Sequence, residues 1–112
     1  MKNAIPTARA PQERAALARL RQILIDPKLL RASLMRTKRR CGQSCCRCAR
    51  DKRHLHVSWY VGQSHRGHPR QKCIPKELVE EVRQWVSQYR EAYDLLDQVS
   101  NAYWERLQKY QR

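Results

Sequence analysis

Phenylalanine is absent from this sequence and acidic residues are scarce, with 10 Asp or Glu against 24 Lys or Arg in 112 residues. Without Phe, a hydrophobic core has to be built from Leu, Val, Ile, Trp and Tyr. A chain of this length buries little apolar surface, and small domains often depend on a metal, on disulfides or on a partner chain. The composition therefore predicts one small domain, over residues 11–112, that needs such an additional element.

The sequence also contains no apolar segment of the kind that targets a chain or anchors it in a membrane. Residues 1–10 lack the apolar stretch of a signal peptide, and no window approaches the length of a membrane span. The chain has five cysteines, an odd number. These features predict a cytoplasmic protein without membrane contact, in a reducing compartment where clustered cysteines bind metal more often than they pair.

Positive charge is concentrated in the middle of the chain, whose formal net charge is +14. Residues 31–76 contain thirteen Lys or Arg and a single acid, Asp51, whereas residues 77–112 contain five basic and seven acidic residues. Such a cationic segment favours a polyanionic partner, above all nucleic acid. We therefore predict a DNA- or RNA-binding surface in residues 31–76, attached to a structural element in residues 77–112.

The N-terminal pattern predicts a short arm followed by a helix. Residues 1–10 are polar and are predicted to be disordered. Pro11 suits the first turn of a helix, and apolar residues then recur at helical spacing. The helix is predicted over residues 11–25, ending before Pro27.

Residues 31–74 are predicted to form a basic, cysteine-rich loop and a β-hairpin. The segment 55–61 is rich in β-branched and aromatic residues, and residues 68–74 return as a second strand after a turn over 62–67. Residues 33–37 are a candidate third strand. The fold class predicted from these patterns is α+β, with a small metal-stabilised sheet between two helices.

The C-terminal third predicts one long helix over residues 75–111. Pro75 and Glu77 are helix-start signals, and neither Gly nor Pro occurs from residue 76 to the end. At 1.5 Å per residue this helix is about 50 Å long. Its apolar residues recur in steps of four and three, which predicts pairing with another helix, in the same chain or in a homodimer; they are Leu78, Val82, Trp85, Tyr89, Ala92, Leu96, Val99 and Tyr103.

Four of the five cysteines lie in residues 39–50, a segment that we call the knuckle. Zinc prefers four tetrahedral ligands, usually Cys sulfur or His nitrogen. Cys45 and Cys46 are adjacent and point in different directions, so only one of them is expected to bind. With Cys41 and Cys48 this leaves a fourth ligand to be supplied from elsewhere, and the candidates are His54, His56 and Cys73. Free cysteines in a basic loop, or a redox or disulfide role, are the alternatives to a zinc site.

Three stretches resemble a small prokaryotic domain family of unknown function that is associated with mobile elements and transposase-like proteins. They are residues 31–42 (RASLMRTKRRCG), 46–50 (CRCAR) and 74–82 (IPKELVEEV). The resemblance covers roughly residues 29–100. It implies a metal knuckle with ligands at Cys41, Cys46, Cys48 and His54, leaves Cys45 and Cys73 outside the pattern, and implies a nucleic-acid context without an established activity.

The function predicted from these features is a small zinc-dependent nucleic-acid-binding protein, not an enzyme, that serves as an accessory of a mobile-element or phage system. Arginine side chains suit phosphate oxygens, and an aromatic residue on a strand can stack on a base. The predicted contact residues are Arg36, Lys38, Arg39, Arg40, Arg47, Arg50, Lys52, Arg53, Tyr60, Arg66, Arg70 and Lys72.

Two other functions fit parts of the sequence. In the first, the long helix docks on a partner within a larger protein complex and the basic residues only keep the chain soluble. In the second, the His54-Leu55-His56 triplet holds a divalent metal and Tyr89 or Tyr93 attacks a phosphodiester, as in single-strand nicking enzymes of the HUH class. That class needs a larger sheet than this chain can build.

Overall fold

Two helices and a three-stranded antiparallel sheet make up residues 5–110, the part of the chain that the computed structural model describes. The α+β fold predicted from the sequence is confirmed. The described residues form two units: a terminal unit (residues 5–29 and 88–110) and a knuckle unit (Leu30–Ser87). Of the predicted arm, residues 1–4 lie outside the described residues, as does the predicted end of the long helix at residue 111, and residues 5–10 contain no helix or strand.

Helix α1 spans Pro11–Ile25, the bounds that the sequence predicts. Pro11 lies in its first turn, where a missing N–H costs no hydrogen bond. Ala16, Leu20 and Ile23 are buried, whereas Leu24, which also follows the helical spacing, is exposed. The buried face of α1 therefore contains fewer residues than the apolar pattern of the sequence.

Helix α2 spans Val79–Lys109 after a 3₁₀ turn at Lys76–Leu78, and is about 46 Å long. Its residues 79–87 belong to the knuckle unit and the rest to the terminal unit. In the terminal unit Leu20 and Ile23 of α1 form a core with Ala92, Leu95 and Val99 of α2. Neither helix of the described residues is long and apolar enough to cross a membrane.

A buried ion pair joins the two helices of the terminal unit. Glu13 accepts hydrogen bonds from Arg106 and from Arg9, and Arg106 also donates to the backbone oxygen of Ala8. Glu13 and Arg106 are 3% and 8% exposed. Burial would raise the pKa of the Glu13 carboxyl, but the hydrogen bonds from Arg106 and Arg9 outweigh it, so that the pKa is lower than usual.

We expect Glu13→Gln to lower the midpoint of thermal unfolding by roughly 10 °C, because Arg106 would be left buried without its counter-charge. Differential scanning calorimetry measures the shift. Glu80→Gln is the control, since its partner Arg83 forms an exposed pair that contributes little. Because the pKa of Glu13 is lowered on folding, its contribution is complete above the ordinary pKa of glutamate and disappears as the pH falls through the lowered value. Equal shifts in the two variants would contradict the prediction.

The sheet has the strand order β1-β2-β3, with β1 at Ser33–Arg39, β2 at His56–His65 and β3 at His68–Ile74. The structure differs from the sequence prediction at the turn, because β2 continues beyond residue 61. Only Arg66 and Gly67 form the turn, with φ angles of 53° and 79°. Two residues of positive φ match the twist of the flanking strands, so a two-residue turn replaces the predicted turn over 62–67.

The two faces of the sheet differ in what covers them. The register places Trp59 and Tyr60 on opposite faces, as neighbours on a strand must be. The Arg83 guanidinium of α2 lies 5.4 Å from the centre of the Trp59 ring, so the start of α2 lies on that face. The other face carries Tyr60, Met35 and Cys73 in one cross-strand row. No residue of the three strands is fully buried. The buried hydrophobic residues of the knuckle unit are Cys48 and, at the start of α2, Val79, Val82 and Val86.

Candidate metal centre

The loop between β1 and β2 begins and returns at the same end of the sheet. Arg39, the last residue of β1, is paired with His56, the first residue of β2. Two 3₁₀ turns, Arg47–Ala49 and Lys52–His54, fold the intervening chain. Gly42 has a φ of 87°, a conformation that glycine adopts without strain. The antiparallel pairing and these turns bring the knuckle back over the start of β2.

Four side chains converge there: Cys41, Cys46, Cys48 and His56, whose possible ligand atoms lie within 4.8 Å of one another. The Sγ atoms of Cys41 and Cys48 are 3.6 Å apart, and Cys46 Sγ is 3.3 Å from His56 Nε2. Sulfurs bound to one zinc ion at 2.3 Å in a tetrahedron lie about 3.8 Å apart. We call these four residues the Cys/His cluster, and they are close enough to hold a metal ion.

The electrostatics of the cluster favour a bound cation. A backbone hydrogen bond from Cys48 and a side-chain hydrogen bond with His56 lower the pKa of Cys46 to about 6. The backbone N–H of Cys41 donates a hydrogen bond to Cys48 Sγ, with 3.3 Å between nitrogen and sulfur, and this bond alone would lower the pKa of Cys48. Burial and the adjacent thiols of Cys46 and Cys41 outweigh it, so the pKa of Cys48 is raised. Cys48 is fully buried. Three neighbouring sulfurs cannot all ionise without a positive charge among them, and a divalent cation supplies that charge.

The structure differs from the sequence prediction at the fourth position of the cluster. His54, which the resemblance favoured, lies in the second 3₁₀ turn, with Nε2 3.5 Å from Asp51 Oδ2. His56, left open as an alternative, lies beside the sulfurs instead. Cys73 is exposed on β3 and Cys45 is exposed in the loop, and neither belongs to the cluster. The structure thus brings Cys46 rather than Cys45, and His56 rather than His54 or Cys73, together with Cys41 and Cys48.

One arginine of the knuckle supports the loop itself. Arg40 Nε donates to the backbone oxygen of Cys48 over 2.9 Å. This bond fixes the chain at the one fully buried residue of the cluster. Arg40, predicted to contact nucleic acid, therefore has a structural role that no pattern in the sequence indicates.

Other predicted contact residues lie beside the cluster. Arg47, Arg50 and Arg53 line an open cleft together with Cys46 and His54. Asp51 accepts two hydrogen bonds from the Arg53 side chain, at 3.2 and 3.1 Å, and these, with a hydrogen bond from the Arg53 backbone and the nearby His54, lower the pKa of Asp51. On the adjoining face of the sheet the Arg39 guanidinium lies 5.1 Å from the centre of the Tyr60 ring.

The remaining predicted contact residues do not all share that face. The register places four of them on the Trp59 face of the sheet, namely Arg36, Lys38, Arg70 and Lys72. Arg66 lies in the hairpin turn, and Lys52 lies in the second 3₁₀ turn. The basic residues of the strands therefore lie on both faces of the sheet, with Arg39 on the Tyr60 face and these four on the Trp59 face. The strand register determines this separation.

The histidine pair of the nicking hypothesis is not assembled among the described residues. His56 belongs to the Cys/His cluster, whereas His54 lies against Asp51. Nicking of the HUH type needs both histidines on one ion, so this geometry does not favour it.

A family model described as a domain of unknown function (DUF6788) matches residues 10–84. The match covers about two thirds of the chain and includes α1, the sheet, the whole Cys/His cluster and the start of α2. No curated protein and no solved structure matches the chain.

Proposed function

The chain belongs to the DUF6788 family, a domain family of unknown function, and from its own residues we propose that it is a zinc protein that binds nucleic acid and catalyses no reaction. The observation that carries the proposal is the position of the Cys/His cluster, which would fix a loop bearing Arg47 and Arg50 beside the Tyr60 face. Metal binding and anion binding would then depend on the same short segment.

Zinc is the metal that fits this ligand set best. Three cysteine sulfurs and one histidine nitrogen form one of the common structural zinc sites, in which four protein ligands leave no open position for a substrate. Hard cations such as magnesium and calcium prefer oxygen ligands. A closed site also agrees with a structural role rather than catalysis.

Nucleic acid is the polyanion that fits the surroundings of the cluster. Arg47 and Arg50 line the cleft, and Arg39 lies over Tyr60 on the open sheet face. One guanidinium group can bind two phosphate oxygens at once, and a tyrosine on an open sheet face can stack on a base. We expect the phosphate contacts to dominate, so that binding depends strongly on salt and weakly on base sequence.

The cellular setting follows from the sequence and remains a prediction. Unpaired cysteines fit a reducing cytoplasm. The role as an accessory of a mobile-element or phage system rests on the resemblance of residues 31–42, 46–50 and 74–82 to the family associated with mobile elements. A protein-interaction module is the second candidate function, and the exposed apolar residues of α2 favour it.

The test is a binding measurement on the zinc-loaded chain with fluorescent oligonucleotides of about 20 nucleotides, as single-stranded DNA, single-stranded RNA and duplex DNA. With about four phosphate contacts, affinity should fall roughly 100-fold between 50 and 200 mM salt. Fluorescence anisotropy across that range gives the slope. No binding to any of the polymers at the lowest salt would overturn the proposal, and polyglutamate serves as a polyanion without bases or phosphates.

A further inference from the structure

Five large apolar side chains are exposed along the C-terminal half of α2. Their exposed fractions are 50–62%, and they are Tyr93, Leu96, Tyr103, Trp104 and Leu107. At 100° per residue all five fall within an arc of about 100° of the helix circumference. Single exposed apolar residues are ordinary, whereas a contiguous patch marks an interaction site. We call these five residues the α2 stripe.

The α2 stripe is distinct from the face that packs on α1. In the terminal unit α1 contacts the side of α2 that carries Ala92, Leu95 and Val99, and Arg106 on the same side pairs with Glu13. The stripe lies on the neighbouring arc of the helix. It includes Leu96 and Tyr103, which the sequence pattern placed in one pairing seam with Ala92 and Val99 and which the structure leaves exposed.

The chemistry of the stripe does not suit nucleic acid or a lipid surface. Ser100 lies at its centre, its arc contains no Lys or Arg, and Asp97 borders it. The two cations beside Tyr103, Arg9 and Arg106, are both paired with Glu13. Helices that bind lipid surfaces carry cations along the edge of the apolar face, and phosphate binding needs cations too. An apolar protein surface is the partner that remains.

We propose that the α2 stripe binds the same stripe of a second copy, forming an antiparallel homodimer. Positions 93, 96, 100, 103 and 107 alternate in steps of three and four, the spacing at which helices pair along a seam. A two-fold axis at Ser100 sets Tyr93 of one copy opposite Leu107 of the other, and Leu96 opposite Tyr103 and Trp104. Each aromatic ring then meets a leucine, and the small serine meets itself.

The area of the stripe is sufficient for a dimer. A buried aromatic side chain covers about 150–250 Å², so five side chains that are about half exposed offer roughly 500 Å² on each copy. The total of roughly 1,000 Å² is near the minimum for a biological interface and is typical of weak, reversible association. The dimer depends on neither the metal nor nucleic acid, and it would place two Cys/His clusters in one particle.

The test is sedimentation equilibrium of the zinc-loaded full chain between about 1 and 100 µM. We expect a mass of twice 13.4 kDa at the upper end, with dissociation on dilution. Leu96→Glu with Leu107→Glu should weaken association at least 100-fold, because the charged groups would be forced into the apolar seam. Leu24→Glu is the matched control, since Leu24 is 59% exposed on α1, as Leu96 is 58% exposed on α2.

Circular dichroism must show an unchanged helix content in the variants. A chain that is monomeric throughout the range would overturn the proposal and leave the stripe for a different protein. Association that persists in the double variant, or that Leu24→Glu disrupts equally, would overturn it too. Because zinc content and oligonucleotide binding are measured separately, failure here is distinguishable from failure of the proposed function.

Discussion

Replacing Cys48 with serine is expected to abolish stoichiometric zinc binding and to unfold the knuckle unit. Cys48 is the one fully buried member of the Cys/His cluster. Its sulfur contacts the sulfur of Cys41, and its backbone oxygen accepts a hydrogen bond from Arg40. Loss of residues that merely support metal ligands costs about 10–100-fold in affinity, so loss of a direct ligand should cost more. No strand residue is fully buried, so we expect the sheet to depend on its metal to fold.

The measurement is zinc per chain by atomic emission on protein purified without chelator, followed by amide hydrogen exchange of residues 30–87. Cys45→Ser is the matched control, because Cys45 is exposed and outside the cluster. Excess EDTA should reproduce the effect of Cys48→Ser in the wild-type chain. Zinc content near zero in the wild type, or full zinc in Cys48→Ser, would contradict the prediction.

Variants of His54 and His56 identify the fourth ligand in the same way. His56→Ala should lower zinc affinity in the same way, since His56 Nε2 lies beside Cys46. His54→Ala should leave zinc affinity unchanged, because His54 contacts Asp51. Competition with a chromophoric chelator ranks the variants. The opposite ranking would show that the ligand set implied by the family resemblance is the right one.

Reversing the charge of Arg39, Arg47 and Arg50 together is expected to reduce nucleic-acid affinity by 100-fold or more at low salt. Removing one cation that binds a phosphate lowers the salt slope by about one, so the triple Glu variant should have a slope smaller by about two to three. Arg40 is left in place because its hydrogen bond to Cys48 supports the knuckle. The variant must therefore still hold one zinc per chain.

The matched control reverses Arg21, Lys28 and Arg90, which are exposed residues of the terminal unit. It changes the net charge by the same amount, so it separates a localised contact surface from the general attraction of a chain of charge +14. Equal losses of affinity in the two triple variants would assign binding to overall charge and would contradict a site at the knuckle. Retained partner binding by the first variant would favour an interaction module.

The elements with local signals could be predicted from the sequence. Pro11 begins α1, Pro75 precedes the 3₁₀ turn that leads into α2, and strand-forming residues between turns define the hairpin. The extent of β2 could not be predicted, because only the pairing of strands shows that Arg66 and Gly67 suffice for the turn. The buried face of α2 could be predicted only in part. Val82, Ala92 and Val99 follow the seven-residue pattern and lie in or against the core, whereas Leu96 and Tyr103 follow it and are exposed. A helix of 3.6 residues per turn drifts away from a seven-residue repeat.

The cysteines of the candidate site could be predicted from the sequence, but its histidine could not. Four cysteines in a basic loop indicate a metal, and only one of the adjacent Cys45 and Cys46 is expected to bind it. Choosing His56 over His54 requires knowing that a 3₁₀ turn directs His54 to Asp51 and that β2 begins at the residue paired with Arg39. Both facts concern the folded loop, and spacing along the chain does not contain them.

The outer strands of the sheet give its cations a second physical role. Among the described residues β1 and β3 each pair with β2 only, so each leaves backbone groups open along one side. In natural proteins, charged residues and proline on such edges prevent them from pairing with another chain. Arg36 and Lys38 lie on β1, and Pro69, Arg70 and Lys72 on β3. Neutral replacements there would favour edge-to-edge association, so these side chains also protect the chain from fibril-like assembly.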